Sequence, residues 1–194
     1  MPVNMEPATK RMAELIRGVP DDALDNPSPC DIPLGALLDH VRTLTLAFTA
    51  AAKQDFSTFG GPPPAPDVAN LDDDWRETIP RSLADLAAAW NDPRAWEGMT
   101  KAGGLDLPAE MAGVIALDEV VVHGWDVAKA SGQPYDVEPD LLAAVHGFVA
   151  PFADPDSPMP RDGLFGPVVP VAADAPLLDR VMGLTGRDPA WSRR

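Results

Sequence analysis

Cysteine is almost missing from this chain. Cys30 stands alone in 194 residues, so no intrachain disulfide can form and a reducing compartment is expected. Positive charge is scarce too, with 15 Lys and Arg against 30 Asp and Glu and a net charge of −15. Nucleic acid and anionic membrane surfaces are bound through clustered Lys and Arg, so neither partner is expected. No apolar run reaches the roughly 18 residues of a membrane span, and the first residues do not read as a charged-then-apolar leader; a soluble cytoplasmic protein is expected. The sequence also lacks a glycine-rich phosphate loop, a nucleophile elbow and a CxxC pair, which removes support for nucleotide and serine-hydrolase readings.

What is present is helical periodicity. The length suits one good core, and the pattern predicts an all-α fold. A first helix over residues 5–17 places Met12, Leu15 and Ile16 on one stripe and stops at Gly18 and Pro20. A second starts after Asp31, expected as its N-cap, with Pro33 in the first turn, and repeats Leu34, Leu37, Leu38, Val41, Leu44 and Phe48. The Gly- and Pro-rich stretch 57–66 must be a long connection, read as a crossover. A third helix from near Asp72 carries Trp75, Ile79, Leu83, Leu86 and Trp90 and should kink at Pro80. Residues 94–107 show no clear period and are expected to be loop with at most a short turn of structure, with Asp106 capping a long helix opened by Pro108 and stopped by Gly132. A fifth helix over 139–152, a short extended piece at 168–171 and a last helix from 174–176 to about Leu184 complete the plan. Residues 1–153 are expected to form a four-helix bundle, and 154–194 a C-terminal extension packed on it within the same domain.

The long helix is apolar on two sides, as a buried central helix is. Glu119 and His123 lie four residues apart on it, one turn apart on one face, where both can close on a single ion. His40, in the inward stripe of the second helix, is the candidate third ligand. Two imidazoles and a carboxylate suit zinc and similar divalent ions and leave a coordination position open. Asp126, three residues after His123, is placed to orient that ring. The plainer alternatives stay open: a lone histidine in an apolar stripe is more often a hydrogen-bonded core residue, and a Glu–His hydrogen bond satisfies both groups without metal. His146 has no acidic partner one turn away and reads as structural. Cys30 reads as a small buried hydrophobe, although a nearby helix N-terminus can lower a thiol pKa.

Several segments resemble one family. Ser28-Pro29-Cys30, Leu37-Leu38-Asp39-His40-Val41, Glu119 with Val122-His123-Gly124-Trp125-Asp126-Val127-Ala128, Ser131-Gly132-Gln133, Phe165-Gly166-Pro167, Leu178-Asp179-Arg180 and Gly186-Arg187 are similar to the mycothiol-dependent maleylpyruvate isomerase and DinB-like metal-binding superfamily, in its short actinobacterial-type form. The resemblance implies a DinB-like four-helix bundle holding a divalent ion, usually zinc with nickel as the alternative, on His40, Glu119 and His123. It implies mycothiol as a co-substrate, a small-molecule electrophile, and Trp125 and Asp126 beside the ligands or in the substrate pocket. Residues 154–194 do not look like the isomerase's separate substrate domain, so the metal site alone carries over. A thiol-dependent transferase or isomerase is the leading expectation. A non-catalytic bundle binding a small molecule or partner, and a hydrolase whose ion activates water, are the rivals; the chain is expected as monomer or homodimer.

Overall fold

The computed structural model describes residues 2–57, 64–154, 156, 161 and 164–193. Among these described residues six α-helices and one hairpin follow in the order α1 (Glu6–Arg17), α2 (Leu34–Lys53), α3 (Trp75–Trp90), β1 (Met99–Ala102), β2 (Leu105–Pro108), α4 (Ala109–Ser131), α5 (Pro139–Ala153) and α6 (Leu177–Leu184). Helices α1 and α2 each pack against both α3 and α4, which makes the first four a bundle. Helix α5 then packs on α4, and α6 on α5. This is the expected four-helix bundle with a short helical extension.

The predicted stripes are the core. Met12, Leu15 and Ile16 of α1, Leu34, Leu37, Leu38 and Val41 of α2, and Ile79, Leu83, Leu86 and Trp90 of α3 are buried together. Helix α4 is buried on almost every side, from Ala112 through Ala130, which is why its composition is apolar all round. Helix α3 runs on through Pro80, itself buried. The part of the Pro-rich connection at 58–63 lies outside the described residues.

Three local expectations are corrected. Asp31 does not cap α2: its φ is 63°, inside a loop closed by a bridge between Pro27 and Pro33. The first free N–H groups of α2 are taken by backbone carbonyls instead, Leu34 by Asn26 at 2.9 Å and Gly35 by Leu24 at 2.7 Å. Residues 94–107 are not loop throughout. A 3-10 turn at Pro93–Trp96 precedes the antiparallel hairpin, in which Thr100 faces Leu107 and Lys101 faces Asp106. Gly103 and Gly104 both take positive φ, 59° and 83°, as the tightest hairpin turn demands. Asp106 is therefore a strand residue, 3.5 Å from Lys101, and no cap. Thr100 fixes the hairpin to the bundle by donating to the carbonyl of Ala51 at 2.7 Å. The extended piece expected at 168–171 joins no ladder; Val169 donates one backbone bond to Gly183.

Gly18 and Gly124 are among the glycines set by close approach rather than by φ. A Cβ on Gly18 would stand 2.5 Å from Gln133 Oε1, and Gln133 uses that proximity to donate to the carbonyl of Leu15 at the end of α1. A Cβ on Gly124 would stand 2.6 Å from the hydroxyl of Tyr135, which donates to the carbonyl of Val121 at 2.8 Å.

Candidate metal centre

Helices α2 and α4 bring His40, Glu119 and His123 together. One nitrogen or carboxylate oxygen from each lies within 4.8 Å of the other two. The rings of His40 and His123 meet edge to face at 4.9 Å and 88°. His123 Nε2 is 3.0 Å from Glu119 Oε2, as the one-turn spacing on α4 requires. Glu119 keeps 29 % of its side chain exposed against 10 % for His123, so the cluster is reached from the Glu119 side.

Behind His123 the site is closed. Its Nδ1 lies 3.0 Å from Asp126 Oδ2, and Asp126 has no exposed side-chain surface. Arg187, from the C-terminal segment, reaches the same oxygen with Nη2 at 3.0 Å and the other with Nε at 3.4 Å. The segment is held there by Lys129, which donates to the carbonyls of Pro189 and Trp191. Asp126 thus has two donors, and the imidazole is turned with Nδ1 inward and Nε2 toward Glu119.

Burial works against charge on every group here, and the partners decide the outcome. For His123, hydrogen bonds with Asp126, Cys30 and Glu119 outweigh burial and raise its pKa well above the ordinary imidazole value. For His40 burial wins, reinforced by the neighbouring His123, and its pKa is lowered. Glu119 and Asp126 are both lowered despite burial, Glu119 through His123 and Asp126 through His123 and Arg187. Asp118 differs: burial, then the charge of Glu119, pushes it to about 8, and its Oδ1 has no hydrogen-bond partner. A neutral carboxyl beside the cluster follows.

Of the residues expected at the site, His40, Glu119, His123 and Asp126 converge. Trp125, two residues past His123 and so turned to the far side of α4, is buried in the core with Lys129 Nζ 5.1 Å over its ring. His146 stands apart, 3.4 Å from Arg180. Cys30 is more than a small hydrophobe. Its sulfur, 3.1 Å from Ser28 Oγ, forms a second close group with His123 and Asp126, all within 4.8 Å. Arg187 neutralises the Asp126 side of that group, which makes it the poorer cation seat. Arg187 had no assigned role in the sequence; only its place in the Gly186-Arg187 pair marked it.

The donor set, two imidazoles and one carboxylate from two helices with the inner imidazole nitrogen held by a carboxylate, could hold a divalent ion in a helical bundle. Residues 5–128 match the sequence model of the mycothiol maleylpyruvate isomerase N-terminal domain, and the chain belongs to that family. No protein of curated function matches it. A crystal structure of mycothiol-dependent maleylpyruvate isomerase, in a histidine-to-alanine mutant, superposes with a TM-score of 0.55 at 18 % identity, over 75 % of this chain and 66 % of that one. That likeness establishes the shared fold. No helix among the described residues is long and apolar enough to cross a membrane.

Proposed function

We propose that this protein holds a divalent ion, zinc, on His40, Glu119 and His123 and carries out a transferase or isomerase reaction that uses a low-molecular-weight thiol, mycothiol, as co-substrate. The observation that supports it is the convergence of three donors with a backed imidazole at the centre. A bound ion supplies Lewis acidity, lowering the pKa of a thiol that takes the open position. The protein's own groups do the rest. Asp126 accepts the Nδ1 proton of His123 and fixes the tautomer that presents Nε2. Arg187 keeps Asp126 ionised and in place, while His40, held neutral by burial, presents an unprotonated nitrogen. In an addition the thiol S–H bond breaks, an S–C bond forms to the electrophile, and the proton ends on the product.

The test is thiol dependence. Zinc-loaded protein is assayed against a panel of carbon electrophiles with and without mycothiol. Conversion is expected only with the thiol, and hydrolysis of the same compounds without any thiol would instead favour water activation.

A further inference from the structure

Beyond α6 the chain turns back onto α4 as a strap. Gly186, at φ 89°, makes the turn, and residues 187–193 follow it to the end of α4 that carries Asp126 and Lys129. Among the described residues no backbone-to-backbone hydrogen bond joins 188–193 to the rest of the fold; the bond from Trp191 to the carbonyl of Asp188, at 2.9 Å, closes a turn within the strap itself. Side chains hold it down instead. Lys129 donates to the carbonyls of Pro189 at 3.0 Å and Trp191 at 3.3 Å, and Arg193 to that of Ala130 at 3.3 Å. Trp191 adds a partly buried ring packed on the core. The inward anchor is Arg187, with 12 % of its side chain exposed, whose Nη2 meets Asp126 Oδ2 at 3.0 Å. That oxygen is also 3.0 Å from Nδ1 of His123, so one carboxylate joins the strap to a metal ligand.

We propose that the strap is a metal-responsive clamp: an ion on His40, Glu119 and His123 holds residues 187–193 docked, and release of the strap loosens the ion. The inference rests on the metal-centre reading above and adds how that centre is regulated. With the strap docked, Asp126 is held by Arg187 on one side and fixes the imidazole on the other. With the strap released, the carboxylate keeps His123 as its donor but loses the guanidinium that sets its direction, and the ring loses its fixed aim. The ion therefore binds the docked state more tightly, by about the 10- to 100-fold that a lost outer partner costs. Linkage is reciprocal, so a saturating ion shifts the docking equilibrium toward the docked state by the same factor. A segment held by so few bonds opens locally, far below the free energy of global unfolding, and the shift is measurable in the folded protein. Lys129 gives a handle on docking alone, since it bonds to the strap and lies over the Trp125 ring rather than in the cluster.

The experiment follows amide hydrogen exchange of the 194-residue chain with and without saturating zinc, and zinc content is read on every sample. Amides of α1 and α3 report global stability and serve as the internal control. The Trp191 amide and its neighbours in the strap are expected to exchange about 10- to 100-fold more slowly with zinc. Lys129→Met should speed strap exchange in the metal-free protein and weaken zinc binding severalfold, although it removes neither a ligand nor the partner of one. In Arg187→Met, held at full zinc occupancy, the zinc-dependent protection of the strap should vanish while the Lys129 anchors remain. Strap exchange that zinc leaves unchanged or speeds in wild type, unaltered zinc affinity in Lys129→Met, or undiminished protection in Arg187→Met overturns the clamp and leaves the metal centre standing. Protein that takes up no zinc overturns both.

Discussion

The ring of His123 is held by Asp126, whose Oδ2 lies 3.0 Å from Nδ1 and is shared with Arg187 at the same distance. A residue of the C-terminal segment therefore decides how an imidazole on α4 is presented. Removing the carboxylate with Asp126→Asn, or the clamp with Arg187→Met, is expected to weaken zinc binding about 10- to 100-fold. Competition against a chromophoric chelator measures it. Unchanged affinity in both variants would remove Asp126 and Arg187 from the centre.

Proton competition should be asymmetric. His123 has a raised pKa through its three acceptors, whereas His40 is lowered by burial and by His123, and Glu119 is lowered as well. Near neutral pH the metal-free cluster therefore carries one ligand proton, on His123, and zinc must displace it. Affinity is expected to rise about tenfold per pH unit below the His123 pKa and to level above it, with about one proton released per ion. Calorimetry in buffers of different ionisation enthalpy counts that proton, with Asp118→Asn as the background because the neutral Asp118 carboxyl beside the cluster can also ionise; a count near two in that variant would mean that His40 is also charged.

Asp39, beside His40, is a structural tie. Its carboxylate accepts from Arg42, the backbone N–H of Asp67 and the amide of Asn70, linking α2 to the turn after the Pro-rich connection. Burial raises its pKa, but the bonds to Asn70, Asp67 and Arg42 prevail and hold it below the usual range. A depressed folded pKa means that the stabilisation is complete above the unfolded value, about 4, and is lost as pH falls through the lower folded value. Asp39→Asn places an N–H₂ among donors and should cost about 1–3 kcal/mol at pH 7, with a shallower acid-induced loss of stability than wild type. Denaturant titrations across pH 3–7 test both.

Gly124 belongs to the His-Gly-Trp-Asp box for a packing reason. Gly124→Ala must displace the Tyr135 hydroxyl and its bond to Val121, and should destabilise the fold by about 1–3 kcal/mol. Tyr135→Phe removes the atom that blocks the methyl, so the two changes together should cost less than their sum. Strict additivity in thermal or urea unfolding would refute the contact.

How much of this could be read from the residues follows from where each signal lies. Glu119, His123 and Asp126 share one helix, whose 3.6-residue period converts spacing into geometry, and His40 was caught by its place in a second periodic stripe. Arg187 and Cys30 sit in segments without a period, so no spacing rule carries them to His123. The hairpin was missed because its strands are four residues long and turn Met99 and Leu105 outward, leaving Gly103-Gly104 as the sole sign. The cap expected at Asp31 failed because backbone carbonyls of the preceding connector, whose approach is a tertiary matter, took the N–H groups of α2 first. Trp125 shows the limit of motif reading, since its neighbour's chemistry says nothing about the face it occupies.

The most direct measurement is zinc stoichiometry on the 194-residue chain purified without chelator or nickel affinity, compared among wild type, His40→Ala and His123→Ala at matched folded fraction. One ion per chain in wild type and its loss in both variants is the predicted result. Equal metal in all three, or none in wild type after incubation with zinc, would contradict a centre built by α2 and α4.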